Sequence, residues 1–390
     1  MKFDLKKEFE NKKQQDKTFL TRVAKEAGFS NTSTLSKWSS NPKKEADSFN
    51  GLITIINHTF PETEEYEVME AYAKTLDFNR KTARYILEYA KINKLDDLFN
   101  FMLEQLENTS NAESKEWAKL YKLDQDAAKG NIELIESIHE AYLPVNSPEM
   151  KVFAKLIQIY GYCELKNYSL MTEVASTVQK GLEEIKDDYI RNSYTVRLNI
   201  ILLSVYLHLG EVDKVRELGA DTLNRTQKGS LVALTNMQLG HSYTFESFQK
   251  AYDHLNAALE IAESLNDNIM AREIKRSLNY VCNYWGKSAQ HLMADSKSYR
   301  DINEIIFSSI RSGQTELAQT MISGINVDDM NDSEKGHFYF IKGLITGMRE
   351  DFYTSIKHMK ISGDKFYRKA ALIELQKLGE NPFLLEALAE

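Results

Sequence analysis

Proline is almost missing from this chain, with five in 390 residues, and glycine is sparse at 17. Sandwiches and barrels turn often and draw on both, so the scarcity argues against them. It favours long helices with short links. Cysteine is scarcer still. Cys163 and Cys282 cannot form a disulfide framework in a chain of this size, and both fall in helical patterns, where they read as small core residues of a reducing compartment. No uninterrupted apolar stretch reaches membrane-span length. The charged start, MKFDLKKEFENKKQQDK, has no apolar signal core. The sequence therefore predicts a cytoplasmic protein with no membrane partner.

The spacings that catalysis needs are missing too. The eight histidines (His58, His139, His208, His241, His254, His291, His337 and His358) never fall at metal-ligand intervals, and no HExxH or CxxC occurs. Gly286-Lys287-Ser288 matches the end of a phosphate loop, but Val281 stands where that loop requires glycine. No GxGxxG follows a strand pattern. The carboxylates Glu62, Glu64, Glu65 and Glu67 read as a solvated face, and Phe338, Tyr339 and Phe340 as packing between helices. The expectation is a protein that is not an enzyme and holds neither cofactor nor metal.

What is present is helical periodicity and an uneven charge. Residues 1–50 hold 11 Lys+Arg and 7 Asp+Glu, whereas the other 340 hold 38 and 50, so a head of +4 precedes a body of −12. A basic head on an acidic body fits a small anion-binding module carried by something that does not bind anions. Beyond residue 60, apolar residues recur at intervals of three and four, as in Leu87, Ala90 and Ile92, in Phe153, Leu156, Ile159 and Tyr160, and in Ile200, Leu203 and Leu207. Five stretches share one punctuation, a helix end, a short turn and a second amphipathic helix: AKGNIELIESI, ELKNYSLMTEV, LHLGEVDKVREL, RSGQTELAQTMI and GMREDFYTSIKHM. From Gly130 through Asn167, Gly210 and Gly313 to Glu350 the steps are 37, 43, 103 and 37, and the third holds about three units of roughly 34 residues, the tetratricopeptide period. Such units stack into a superhelix with a concave face suited to a peptide. The closing GENPFLLEALAE starts a helix at Pro382 that caps the array or pairs with another copy.

SNPKKEADS at 40–48 and NHTFPETEEY at 57–66 are the first breaks. Before them lies AKEAGFSNTSTLSKW at 24–38, which has the order a helix-turn-helix requires. Phe19, Leu20 and Val23 make the apolar stripe of the first helix. Ala24 is the small residue at the crossing, Gly28 the turn, and Phe29 the plug. Asn31 or Thr32 caps the second helix. Leu35 and Trp38 face inward. Leu35 comes one residue later than the usual spacing, so the turn is one residue longer. Thr32, Ser33, Thr34, Ser36 and Lys37 then face DNA, with Arg22, Lys43 and Lys44 placed for phosphates. The fold expected is all-α, a helix-turn-helix domain at 1–57, a degenerate tetratricopeptide-like, peptide-binding superhelix at 58–345, and a C-terminal repeat with capping and dimerisation helices at 346–390.

The head and array together resemble the arbitrium peptide receptors (AimR) of temperate Bacillus phages, part of the wider group of Gram-positive peptide-pheromone receptors. The segments that carry the resemblance are SKEWAKLYKL at 114–123, SPEMKVFAKL at 147–156, YIRNSYTVR at 189–197 and, above all, SGDKFYRKAALIELQKLGENPFLLEAL at 362–388. It implies a homodimeric transcriptional regulator of the lysis-lysogeny decision. The free dimer binds operator DNA and activates a transcript that opposes lysogeny. An imported hexapeptide, containing Arg and ending in an Arg-Gly-Ala-like sequence, binds the superhelix and stops activation. Asp364, Phe366 and Glu304, with Asn303 beside it, match pocket positions of the family, and the two carboxylates suit a guanidinium. Asparagines of the family align at Ser204, His208, His241 and Ser333, and a peptide-binding arginine aligns at Ser230. Either Arg225 or Lys228 substitutes for that arginine, or the pocket reads a different peptide. The alternative function is a repeat scaffold that binds a protein partner under peptide control without binding DNA.

Overall fold

The computed structural model describes residues 3–29, 31–41, 43–46, 48–142, 144–165, 168–226 and 228–390. Pro42, in the first predicted break, and Asn167, in a predicted turn, lie outside the described residues. Among the described residues every regular element is a helix, and none is long and apolar enough to cross a membrane. The chain divides into two compact units, 1–198 and 199–390.

The first unit contains α1 (Leu5–Gln15), α2 (Phe19–Glu26), α3 (Thr32–Ser40), α4 (Phe49–Thr59), α5 (Glu65–Ala73), α6 (Lys81–Ile92), α7 (Asp96–Glu107), α8 (Ala112–Ala128), α9 (Leu134–Glu140), α10 (Pro148–Glu164) and α11 (Tyr168–Glu184). The division falls inside α12 (Asp188–His208). The second unit continues with α13 (Val212–Arg225), α14 (Ser230–Ser242), α15 (Phe248–Ser264), α16 (Asn268–Tyr284), α17 (Tyr299–Arg311), α18 (Thr315–Ser323), α19 (Asp332–Thr346), α20 (Arg349–Ile361), α21 (Lys365–Lys377) and α22 (Pro382–Ala389). The expected border at 57/58 lies near the end of α4, and that at 345/346 near the end of α19.

One backbone device ends many of these helices. The N–H two residues past the last helical residue's cap reaches back five residues to a carbonyl, and the residue between takes a left-handed conformation. Gly130, Gly210 and Gly313 occupy that position with φ of 70°, 75° and 80°, and the closing bonds are Asn131 N to Asp126 O, Glu211 N to Tyr206 O and Gln314 N to Ser309 O. Lys94 and Asn266 adopt it as well, with φ of 56° and 54°. The turn placed at Glu350 falls three residues earlier, at Gly347, because α20 has already begun at Arg349. In the second unit the first helices of successive pairs begin at Ser230, Asn268, Tyr299, Asp332 and Lys365, steps of 38, 31, 33 and 33 residues. The pair begun by α16 lacks its second helix. The stretch 285–298 takes that place without regular structure.

The core of the first unit is a ladder of rings. Trp117 stacks on Tyr121 with centroids 5.6 Å apart, Tyr121 on Phe153 at 4.2 Å, and Phe153 on Tyr194 at 5.5 Å, all fully buried. A buried ion pair threads it. Arg197 Nε and Nη2 donate to the two oxygens of Glu88 at 2.9 and 2.7 Å. Tyr121 Oη donates to Glu88 Oε2 at 2.7 Å, and the Ser193 hydroxyl donates to Oε1. In the second unit glycine lets helices touch. A Cβ on Gly343 of α19 would lie 2.7 Å from the Phe352 ring of α20. α22 begins at Pro382 as expected and packs through Leu385 and Leu388, leaving Phe383 82% and Leu384 41% exposed.

Candidate functional sites

The head is built by α1 to α4. Phe9, Phe19, Val23, Ala24, Leu35, Trp38, Leu52, Ile55 and Ile56 close its core. Gly28, at φ 73°, ends α2, and Phe29 N donates to Ala24 O at 2.8 Å. Asn31, not Thr32, caps α3: its Oδ1 accepts from Thr34 N at 3.0 Å and from the Ser33 hydroxyl at 2.6 Å. Gly51 on α4 lies close against the turn and its own cap, because a Cβ there would lie 2.8 Å from Ser48 Oγ and 3.3 Å from Ala27 O.

The outward face of α3 is narrower than the sequence reading placed it. Ser33, Lys37 and Ser40 are exposed at helical spacing, whereas Thr32, Thr34 and Ser36 are half-buried. Ser36 turns toward α1, where its hydroxyl accepts from Lys13 Nζ at 3.4 Å. Lys43 is exposed and Lys44 half-buried. Arg22 is exposed but paired with Asp16 at 3.2 Å, so a phosphate would have to compete for it. Ser40 went unread because it stands beside the polar break. The period from Ser33 through Lys37 would have found it.

The second site is a buried polar cluster in the second unit. His241 of α14 sits between two hydroxyls, with Tyr367 Oη of α21 2.8 Å from Nδ1 and Ser277 Oγ of α16 3.2 Å from Nε2. The Tyr367 ring lies 5.1 Å from that of His337 and 5.2 Å from that of Tyr280. Burial drives both His241 and His337 down to about 4, so both are neutral at pH 7. His208 acts on His241 and engages the Ser204 carbonyl at 2.8 Å through Nδ1. Glu304 of α17 is buried, and Asn283 Nδ2 donates to its Oε2 at 2.8 Å. Burial pushes its carboxyl up to about 8, against the pull of Asn283 and Arg300. Asp364 caps α21, accepting from Tyr367 N at 2.8 Å, and its charge acts on His337 and Tyr367. Three buried polar atoms here have no hydrogen-bond partner among the described residues: Tyr280 Oη, Asn283 Oδ1 and Asn303 Oδ1.

The structure thus brings Ser204, His208, His241, Asn303, Glu304 and Asp364 to one region, within reach of one another's charge or on adjacent turns. Phe366 points into an apolar cluster with Leu203, Leu207 and Val215. Ser230 opens α14 and is buried. Ser333 lies in the first turn of α19 and takes no part in the hydrogen bonds just described. Tyr280, Asn283, Arg300, His337 and Tyr367 belong to the cluster and were missed. Tyr367 directly follows a residue singled out in SGDKFYRKA, and Arg300 lies one turn before Asn303 on α17, so helical neighbourhood was the available signal for those two.

Comparison with known proteins follows the same outline. A family model described as AimR transcriptional regulator-like matches residues 65–377. The AimR transcriptional regulator of Bacillus phage SPbeta is 28% identical over 387 residues, 98% of each chain. That of Bacillus phage phi3T is 26% identical over 381 residues, 97% of this chain and 99% of the relative. The solved structure of SeMet-phAimR has a TM-score of 0.79 at 25% identity, covering 99% of this chain and 100% of the other. The all-helical fold is common to both.

Proposed function

The chain belongs to the AimR transcriptional regulator-like family, and we propose that it is a peptide-controlled DNA-binding regulator of the phage lysis-lysogeny decision, acting in the host cytoplasm as a homodimer. The free dimer binds operator DNA through α3 and activates transcription. A short imported peptide containing Arg binds the cluster around Glu304 and Asp364 and switches activation off. The family is one of transcriptional regulators and not of enzymes.

The observation that carries this reading is the pairing, in one chain, of an exposed Ser33–Lys37–Ser40 face with a buried cluster whose acceptors lack donors. Asn283 Oδ1 and Asn303 Oδ1 call for N–H groups, and a guanidinium supplies five in a planar fork. Asp364 uses Oδ1 on its cap, which leaves Oδ2 for such a group. A ligand that prefers one arrangement of these helices shifts the protein by its difference in affinity between the two. The exposed Phe383 and Leu384 of α22 offer apolar surface to a second copy. In this reading residues 1–57 are the DNA-binding head, 58–345 the peptide-binding array and 346–390 the capping and dimerising end.

The test uses short duplexes tiling the genomic segment around the gene. Tight, salt-sensitive binding of one duplex by the free protein is expected. Lys37→Gln should weaken it about tenfold and lower the salt slope by about one. Asp364→Ala should leave that binding intact and weaken the peptide encoded beside the gene. Failure of the protein to bind any duplex, together with capture of a host protein under peptide control, would replace this reading with the scaffold.

A further inference from the structure

α1 precedes the helix-turn-helix in sequence and was read only as a charged start. In the structure its apolar face, Leu5 and Phe9, enters the head core, where the Phe9 ring lies 5.1 Å from Phe19 and 5.5 Å from Trp38. Its neighbouring face carries Lys6, Glu10 and Lys13, spaced by four and three, which places them in one row on a helix. Each meets α3 or the segment after it. Lys6 Nζ donates to Asn41 O at 2.6 Å and to Lys44 O at 2.7 Å, and lies 5.3 Å from the centroid of the Trp38 ring. Lys13 Nζ donates to both oxygens of Glu10 at 3.0 Å and to Ser36 Oγ at 3.4 Å. The Ser39 hydroxyl and Lys13 both hold the Glu10 carboxylate.

Lys6 occupies the key position in this row. Asn41 is the C-terminal cap of α3, where the helix leaves its last carbonyls without partners and carries the negative end of its dipole. An ammonium there opposes that charge and gives the Asn41 carbonyl a second donor. The same ammonium ties Asn41 O to Lys44 O across the turn that carries Lys43. That turn is otherwise closed by Lys44 N to Asn41 O at 3.1 Å and Lys43 N to Asn41 Oδ1 at 3.0 Å.

We propose that Lys6 is a positioning residue for DNA recognition: by donating to the carbonyls of Asn41 and Lys44 it fixes the end of α3 and the backbone at Lys43 and Lys44, and so aims Lys37 and Lys43 without touching DNA itself. This rests on the DNA-binding reading above, since only then does the aim of Lys37 and Lys43 matter. The bonds of the turn form within the free chain, which allows the two to be tested apart.

Lys6→Met keeps the stem over Trp38 and removes the donors. Lys6→Arg keeps a cation with donors. In the full chain without DNA, Lys6→Met should speed amide hydrogen exchange at Lys43 and Lys44 at least tenfold, with Lys6→Arg closer to the natural protein. On the duplex bound most tightly, Lys6→Met should lose about tenfold in affinity at fixed salt with an unchanged salt slope, and Lys6→Arg should recover most of it. Lys37→Gln is the comparator, because a lost phosphate contact lowers the slope by about one. Unchanged exchange at Lys43 and Lys44 overturns the clamp whether or not DNA binds. A fall in slope with Lys6→Met overturns it too, since Lys6 would then be a phosphate contact. Exchange that speeds as expected in a protein that binds no duplex keeps the clamp and removes its role in recognition.

Discussion

Arg197→Met should cost the first unit about 3–5 kcal/mol, the loss typical of a buried ion pair broken from one side. Glu88 has no exposed surface and Arg197 only 7%. With the guanidinium gone, the carboxylate keeps the Tyr121 and Ser193 hydroxyls but no positive charge, and no other Lys or Arg forms an ion pair with Glu88 among the described residues. The Arg197 charge also lies 5.4 Å from the Phe153 centroid, so methionine removes contact with the ring ladder as well. Urea unfolding followed by fluorescence measures this, because Trp117 stacks within the ladder whereas Trp38 lies in the head. A change under about 1 kcal/mol, the range of an exposed pair, would mean that water reaches Glu88. Glu88→Met combined with Arg197→Met should recover part of the loss. It cannot recover all of it, because Tyr121 and Ser193 would each lose an acceptor.

That pair also marks the limit of what the sequence could disclose. Glu88 and Arg197 are 109 positions apart, each a single charge on a helix with apolar neighbours, and no local pattern joins them. Local signals were legible. Gly130, Gly210 and Gly313 gave turns because glycine takes positive φ without a steric cost. Lys94 and Asn266 take the same conformation without advertising it, so neither turn was read from the sequence. The inward Leu35 and Trp38 followed from helical period, and both are buried. The half-burial of Ser36 did not follow, because it depends on Lys13 arriving from α1. Of the second cluster, Glu304 and Asp364 were singled out by resemblance. Their surroundings come from α14, α16, α19 and α21, and only folding brings those helices together.

Glu304→Gln should raise the stability of the second unit at pH 8 and weaken the ligand at the same time. In the folded chain the Glu304 carboxyl titrates at about 8, against 4.5 for an ordinary glutamate, because burial opposes its charge. The folded state therefore holds a proton that the unfolded state has released. The stability associated with it is complete below about pH 4.5 and declines as pH rises toward 8. At pH 8 the decline has an upper limit of about 4 kcal/mol, and a relaxed site would show about 1–3. Glutamine has no proton to release and can still accept from Asn283 Nδ2, so the variant should match the natural protein at pH 4.5 and exceed it progressively above. The acid limb should be common to both. His241 and His337 titrate at about 4 when folded and near 6.5 when unfolded, so protons favour the unfolded chain as pH falls from about 6.5 to 4 whatever stands at position 304. Arg300, Asp301 and Asn283 face Glu304 as well, and among them only Asp301 pushes its titration upward. Thermal melts of both proteins from pH 4.5 to 8 measure the difference, and parallel curves would show Glu304 ionised in the fold. On the function proposed above an arginine-containing peptide pairs with this carboxylate, so its affinity for Glu304→Gln should fall at least tenfold at pH 8. Both results together would mark a binding position, since a purely structural one would be better served by glutamine.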